Sequence, residues 1–365
     1  MKNNEKKKKS RLLGLILPLL VGVVFGVVLA EYGSRIPDVP GLGIASFAFM
    51  VLAIFAQIAI HEAGHLVFGL ATGYKFCSYR LFGFMVQKSN GRLVFKRFKL
   101  AGTGGQCLLI PPALNGGRYK SVLYHLGGVI MNLLSSAIFA ILLCISGSYF
   151  VDSLCVMMIV FGVLFALVNG IPMTTQNIDN DGKNAIYTSK SPKASTAMWI
   201  QLSINAMQAD GKRLKDMPDE WFVFPDEADM NNGLIASLAA FCCNRLMDQG
   251  RLEECEREIE RIISLDSALP GIYKMLLRAD LISLYLLLDR DFDKVSALFD
   301  KEQESFMKTM KDFPSIIRTQ YIYARLGEHS DENSEKQLAR FENIAKSYPF
   351  IGDIESEREI MSKCK

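Results

Sequence analysis

The chain has 365 residues, half of them hydrophobic, with a mean hydropathy of +0.19 and a net charge of +3. That is too apolar for an ordinary soluble protein, and the charge is uneven: residues 1–182 carry 16 Lys+Arg against 7 Asp+Glu, and the remainder 25 against 31. Eight cysteines without a CxxC pair exclude a zinc knuckle or a dithiol redox motif and fit a reducing cytosol, so the composition reads as a membrane half followed by a mildly acidic soluble half.

The basic block MKNNEKKKKSR precedes an apolar run, Leu12 to Ala30, without a charge. A signal peptide is one reading, but the run approaches the ~20 residues a spanning helix needs, which favours an uncleaved helix. A second span is predicted from about Gly43 to Thr72, a third from about Tyr124 to Phe150, and a fourth from near Leu154. The segment from Gly73 to Ser121 carries nine Lys+Arg and no acid. By the positive-inside rule, this loop, the N-terminus and the C-terminal half face the cytoplasm of a multi-pass cell-membrane protein. Beside spans, such a basic loop serves orientation and anionic headgroups, not nucleic acid.

Within the loop, branched and aromatic stretches flank Asn90-Gly91, the strongest short hairpin signal. AGTGGQCLLIPP follows as a glycine-rich apolar loop. Residues 183–232 read as a polar linker. Residues 233–365 read as helical hairpins with turns at Gln249-Gly250, near Asp289 to Asp291 and around Leu326, a degenerate TPR-like repeat or an irregular bundle. The expected fold is therefore an α-helical polytopic membrane protein. It has about four spans, a membrane-associated β-hairpin and a cytosolic all-α domain, with a membrane-embedded core over 1–182.

The second span contains HEAGH. Two imidazoles four residues apart share one helix face and can reach one metal, and Glu62 beside the first can serve as base for a metal-activated water. That function explains why His61, Glu62 and His65 stand in an apolar segment, where a charge at a helix centre costs about 2.5–3.5 kcal/mol. A hydrolytic zinc site requires a third protein ligand. His125 and His329 are poorly placed for it. Asp179 and Asp181, just past the fourth span, are the better candidates.

These motifs resemble the site-2-protease-type intramembrane zinc metalloproteases. HEAGH lies in a span. GGVIMN (Gly127 to Asn132) is similar to the family's Gly-Pro-x-x-Asn, NGIP (Asn169 to Pro172) to its Asn-x-x-Pro, and DNDG to its Asp-Gly ligand motif. Val129 stands where Pro is usual, and Asn180 where Leu is usual. The resemblance covers roughly residues 43–185. It implies zinc held by His61, His65 and Asp181, with Glu62 as general base. Asn132 and Asn169 would orient substrate or steady the oxyanion. It further implies an endopeptidase acting on a transmembrane or signal-peptide-like substrate near its cytoplasmic side, in regulated proteolysis or peptide-signal maturation. The hairpin looks like the family's membrane-associated β element, an edge to which substrate adds as a strand. The alternatives are a membrane-anchored helical-repeat scaffold with a vestigial metal site, whose C-terminal domain binds a protein partner, and a transporter.

Overall fold

The computed structural model describes residues 16, 19, 22–23, 25–34, 39–89, 91–98, 104–175, 178–288 and 291–364. The apolar run at 12–30 lies largely outside the described residues; positions 25–34 are helical.

Three described helices are long and apolar enough to cross a membrane: α1 (Leu42–Ala71), α2 (Val122–Ile145) and α3 (Tyr149–Gly170). At 1.5 Å per residue they extend about 45, 36 and 33 Å, against a hydrocarbon core of about 30 Å. Phe47, Ile138 and Ile141 project from them exposed, as lipid-facing side chains do. Helices α1 and α2 touch backbone to backbone. A Cβ on Gly64 would lie 2.3 Å from the Gly127 carbonyl oxygen, and one on Gly127 2.5 Å from that of Gly64. Small residues give membrane helices this approach, because packing replaces the hydrophobic drive that lipid cannot supply.

Four strands, β1 (Lys75–Leu81), β2 (Phe84–Ser89), β3 (Arg92–Arg97) and β4 (Gly105–Ile110), form a sheet in the order β3-β2-β1-β4. β1 and β2 pair antiparallel from Ser78↔Gln87 to Leu81↔Phe84, around a two-residue turn in which Phe82 (φ 53°) and Gly83 (φ 109°) are both left-handed. β2 and β3 pair from Phe84↔Arg97 to Ser89↔Arg92, the hairpin that the Asn-Gly signal predicts. β1 has no counterpart in the sequence reading. The stretch GQCLLI, expected as loop, is strand β4, with Cys107 and Leu109 buried in alternation.

The chain divides into two compact units, one of residues 1–76 and 104–195, the other of 77–103 and 196–365. Composition placed a boundary near 182, whereas the first unit continues through α4 (Asp181–Lys190). The expected linker 183–232 holds the rest of α4, then α5 (Pro192–Ala209), and is largely regular structure. Its polarity hides that structure, because α5 buries small and branched side chains, Ala197, Ile200 and Ile204, between polar ones.

In the second unit, α6 (Gly233–Asp248) and α7 (Leu252–Ser264) turn at Gln249-Gly250 as expected, with Gly250 left-handed at φ 73°. α7 buries Leu252, Cys255, Ile259 and Ile262, one stripe of an otherwise charged helix. α8 (Gly271–Leu287) and α9 (Phe292–Leu298) follow; of the turn expected between them, positions 289 and 290 lie outside the described residues. Then come α10 (Lys301–Thr309), α11 (Pro314–Ile322), α12 (Asp331–Ala345) and α13 (Ile351–Met361). Leu281, Ile282, Leu284 and Ile316 centre the core. Arg318, 1% exposed, pairs within it with Asp280 and with Glu357 at 2.7 Å. All eight cysteines are free; Cys144 is exposed on α2 and Cys364 half-buried.

Candidate metal centre

His61 and His65 lie one turn apart on the face of α1 turned to α2, and both are buried. Asp181, first residue of α4, completes the group. Its Oδ2 is 3.0 Å from His61 Nε2 and 3.5 Å from His65 Nε2, and the two Nε2 atoms are 3.1 Å apart. A tetrahedral ion with bonds of 2.0–2.1 Å separates its ligand atoms by about 3.3 Å. Among the described residues this is the one cluster of three His, Cys, Asp or Glu side chains able to hold an ion.

The hydrogen bonds behind the rings decide what faces the centre. His65 Nδ1 is 2.8 Å from the Tyr124 carbonyl oxygen, which can only accept, so Nδ1 carries the proton. His61 Nδ1 is 2.7 Å from Asn132 Oδ1. The Asn132 amide is fixed by Gln57, since its Nδ2 donates both to the Gln57 carbonyl oxygen at 2.9 Å and to Gln57 Oε1 at 2.8 Å. With both Nδ1 atoms protonated, neutral imidazoles point two Nε2 lone pairs and a carboxylate oxygen at one another. Three acceptors so close require a cation or an added proton between them, and a His₂Asp set with Nδ1–H bonded behind each ring could hold a divalent metal ion. Burial pushes the Asp181 carboxyl up, but with the added proton on the histidine pair the facing imidazolium charge and its Nε2–H bonds outweigh burial and hold the carboxyl well below the ordinary carboxylate range. It is therefore ionised at neutral pH.

Local sequence explains each placement. Gly128 lies under the His61 ring, where a Cβ would come within 2.5 Å of Cε1, so the second glycine of GGVIMN makes room for the imidazole. Gly182 packs on the end of α3, where a Cβ would lie 2.0 Å from the Gly170 carbonyl oxygen; the glycines of NGIP and DNDG thus meet. Asn180 holds the junction with all four of its amide hydrogen-bonding positions. Its Nδ2 donates to the carbonyls of Val168 and Ile171 at 2.7 Å each, and its Oδ1 accepts from the amides of Met173 and Lys183 at 3.1 Å each. It closes the end of α3 and caps α4, delivering Asp181 to the histidines. Asp179 is engaged elsewhere, accepting from Thr174 Oγ1 at 2.6 Å and pairing with Lys183 at 2.9 Å. Of the two candidate carboxylates, Asp181 is the one at the centre.

Glu62 is partly exposed and stands against Gly105, the first residue of β4, where a Cβ would fall 2.4 Å from Glu62 Cγ. Asn132, expected at the substrate, is fully buried with its amide engaged by His61 and Gln57. Asn169 donates to the Phe165 carbonyl on its own helix at 3.0 Å. His125 is buried beside Tyr124 outside the ligand group, and His329 lies in the second unit. The sequence reading missed Gln57, Tyr124, Gly128 and Asn180. For Gln57 a signal was present, a polar residue one turn before His61 in an apolar span.

Comparison with family models, with curated proteins and with solved structures finds no match to this chain.

Proposed function

We propose that this protein is a zinc-dependent intramembrane endopeptidase that cleaves a membrane-spanning or signal-peptide-like substrate near its cytoplasmic end. The observation that carries the reading is the convergence of His61 Nε2 and His65 Nε2 of the apolar α1 with Asp181 Oδ2 of α4 within 3.5 Å of one another, each imidazole with its Nδ1 proton donated away. The motif order, HEAGH then GGVIMN, NGIP and DNDG, supports the same reading.

Zinc at this centre would polarise the scissile carbonyl and make water nucleophilic near neutral pH. The Glu62 carboxylate takes the proton from the attacking water as the carbon–oxygen bond forms. It returns that proton to the amide nitrogen as the carbon–nitrogen bond breaks. His61 and His65 hold their Nδ1 protons throughout, fixed by Asn132 and the Tyr124 carbonyl. β4 lies at a sheet edge with Gly105 against Glu62, which suits a substrate added as an extended strand beside the base. A helical substrate must unwind to meet that edge. His65 is six residues, about 9 Å, from the end of α1, shallow enough for an end-frayed helix to reach. Loop charge puts that end in the cytoplasm. The full reading has four spans, the first at 12–30, and a cytosolic domain of TPR-like helical hairpins that binds a protein partner.

The test is zinc per chain in the purified full-length protein, with cleavage of single-span peptides in proteoliposomes. We expect one zinc, lost in His65→Ala. We expect cleavage of peptides with Gly or Pro near the cytoplasmic end and resistance of a poly-Leu span. Glu62→Gln should keep the zinc and lose cleavage. Folded wild type without zinc, or cleavage unaffected by Glu62→Gln, refutes the proposal.

A further inference from the structure

Gln57 is wholly buried in α1, one turn before His61, and its amide is bonded on both sides. Nε2 donates to the Met158 carbonyl oxygen of α3 at 2.8 Å and to Ser135 Oγ of α2 at 3.1 Å. Oε1 accepts from Asn132 Nδ2 at 2.8 Å, while the Gln57 backbone carbonyl accepts the second Asn132 proton at 2.9 Å. Asn132 Oδ1 faces His61 Nδ1 at 2.7 Å.

The direction of this chain is determined at both ends of the Gln57 side chain. A backbone carbonyl has no proton to give, so the Met158 oxygen forces the Gln57 NH₂ toward α3 and Oε1 toward Asn132. The Gln57 carbonyl and Oε1 together force the Asn132 NH₂ toward α1, and Oδ1 toward the imidazole. An acceptor facing Nδ1 then requires the Nδ1–H form of His61, which leaves the Nε2 lone pair for the centre. A neutral imidazole with the other tautomer would present N–H to the metal and could not bind it.

We propose that Gln57 is a positioning residue for the metal centre: a three-helix relay, Met158 carbonyl to Gln57 to Asn132 to His61, selects the tautomer and ring orientation of the first histidine ligand. The inference rests on the metal-centre reading and extends it to a residue outside the HExxH motif. It also accounts for a glutamine in a span, since every donor and acceptor of the relay is satisfied inside the bundle. Ligand histidines are commonly set by such outer partners, whose loss costs 10–100-fold in metal affinity.

The test uses full-length protein in nanodiscs. Zinc affinity is measured by chelator competition, and the ligand field by the visible absorption of the cobalt form. Gln57→Met preserves length and apolar packing but removes both polar ends. Gln57→Glu, read at a pH where the buried carboxyl carries its proton, retains an O–H for Met158 and a carbonyl for Asn132. We expect zinc to bind about 10–100-fold more weakly in Gln57→Met with an altered cobalt spectrum, and Gln57→Glu to recover most of the affinity. ¹⁵N spectra of the metal-free protein, with four histidines to assign, should show one His61 tautomer in wild type and a mixture in Gln57→Met. Should Gln57→Met fail to fold, Gln57→Ser must show the same losses. Affinity within about twofold of wild type in a folded Gln57→Met overturns the relay and leaves the metal centre standing. Wild type that binds no zinc overturns both. Zinc binding and the tautomer effect without any peptide cleavage uphold the relay and overturn only the protease reading.

Discussion

Gly128→Ala should damage the centre through a single methyl group. The new Cβ would sit 2.5 Å from His61 Cε1 and 2.6 Å from both ring nitrogens, about 1 Å inside carbon contact distance. Neither side can yield cheaply. The ring is held by Asn132 at 2.7 Å and faces Asp181 at 3.0 Å, and α2 cannot slide because Gly127 already touches the Gly64 carbonyl at backbone distance. Overpacking of this kind costs about 1–3 kcal/mol. Here the ring must move by several times the ~0.2 Å that a metal bond tolerates. Zinc affinity should therefore fall by about 100-fold or more, roughly 2.7 kcal/mol. Chelator competition on the full-length protein measures it. Gly43→Ala is the control, because nothing lies within 4 Å of its Cβ position; it should bind zinc like wild type. Wild-type affinity in a folded Gly128→Ala would refute the packing argument.

Other outcomes follow from the same geometry. Asp181→Ala should lose zinc at sub-micromolar free metal, whereas Asp179→Ala should retain it and lose about 1 kcal/mol of stability with the Lys183 pair; equal zinc loss in both would contradict the assignment. Asn180→Leu strands two helix-end carbonyls and two amides, so zinc affinity should drop about tenfold, and thermal unfolding should show a loss of about 2–4 kcal/mol. In the helical unit, burial and the nearby carboxylate of Glu357 push Asp353 up to about 7, despite its bond from Gln208. Its folded pKa is above the unfolded 3.8, so the folded chain holds a proton the unfolded chain releases, and stability falls as pH rises from about 4 to 7. Discounted for partial exposure, the loss is about 2 kcal/mol. Asp353→Asn should flatten the pH dependence of the melting temperature between about pH 4 and 7; an unchanged slope would show that other groups set it.

The local elements were legible where one periodicity or one turn signal dominated. HEAGH announced its own geometry, since a four-residue spacing on a helix forces the two imidazoles onto one face. The Asn-Gly hairpin and the Gln249-Gly250 turn were equally plain, because few backbone conformations suit those pairs. Strand β4 was not, as a short apolar run carries no period that separates strand from loop until a partner strand is known. Helix α5 within segment 183–232 was not legible, because polar composition does not reveal its buried stripe.

The sequence by itself determined the apolar character of three helices, the pairing of the His61 and His65 imidazoles on one helix face, the adjacent Glu62, and two aspartates competing for the place beside them. Tertiary structure decided between those aspartates, because Asp179 finds Lys183 and Thr174 locally while Asp181 is carried to the histidines by the Asn180 junction. It also decided the contacts of Gln57, Asn132 and Gly128. The relay joins residues 71 to 101 positions apart along the chain, and Gly128 lies under a ring on another helix. Hydrogen-bond direction and close contact of that kind exist only once those helices meet.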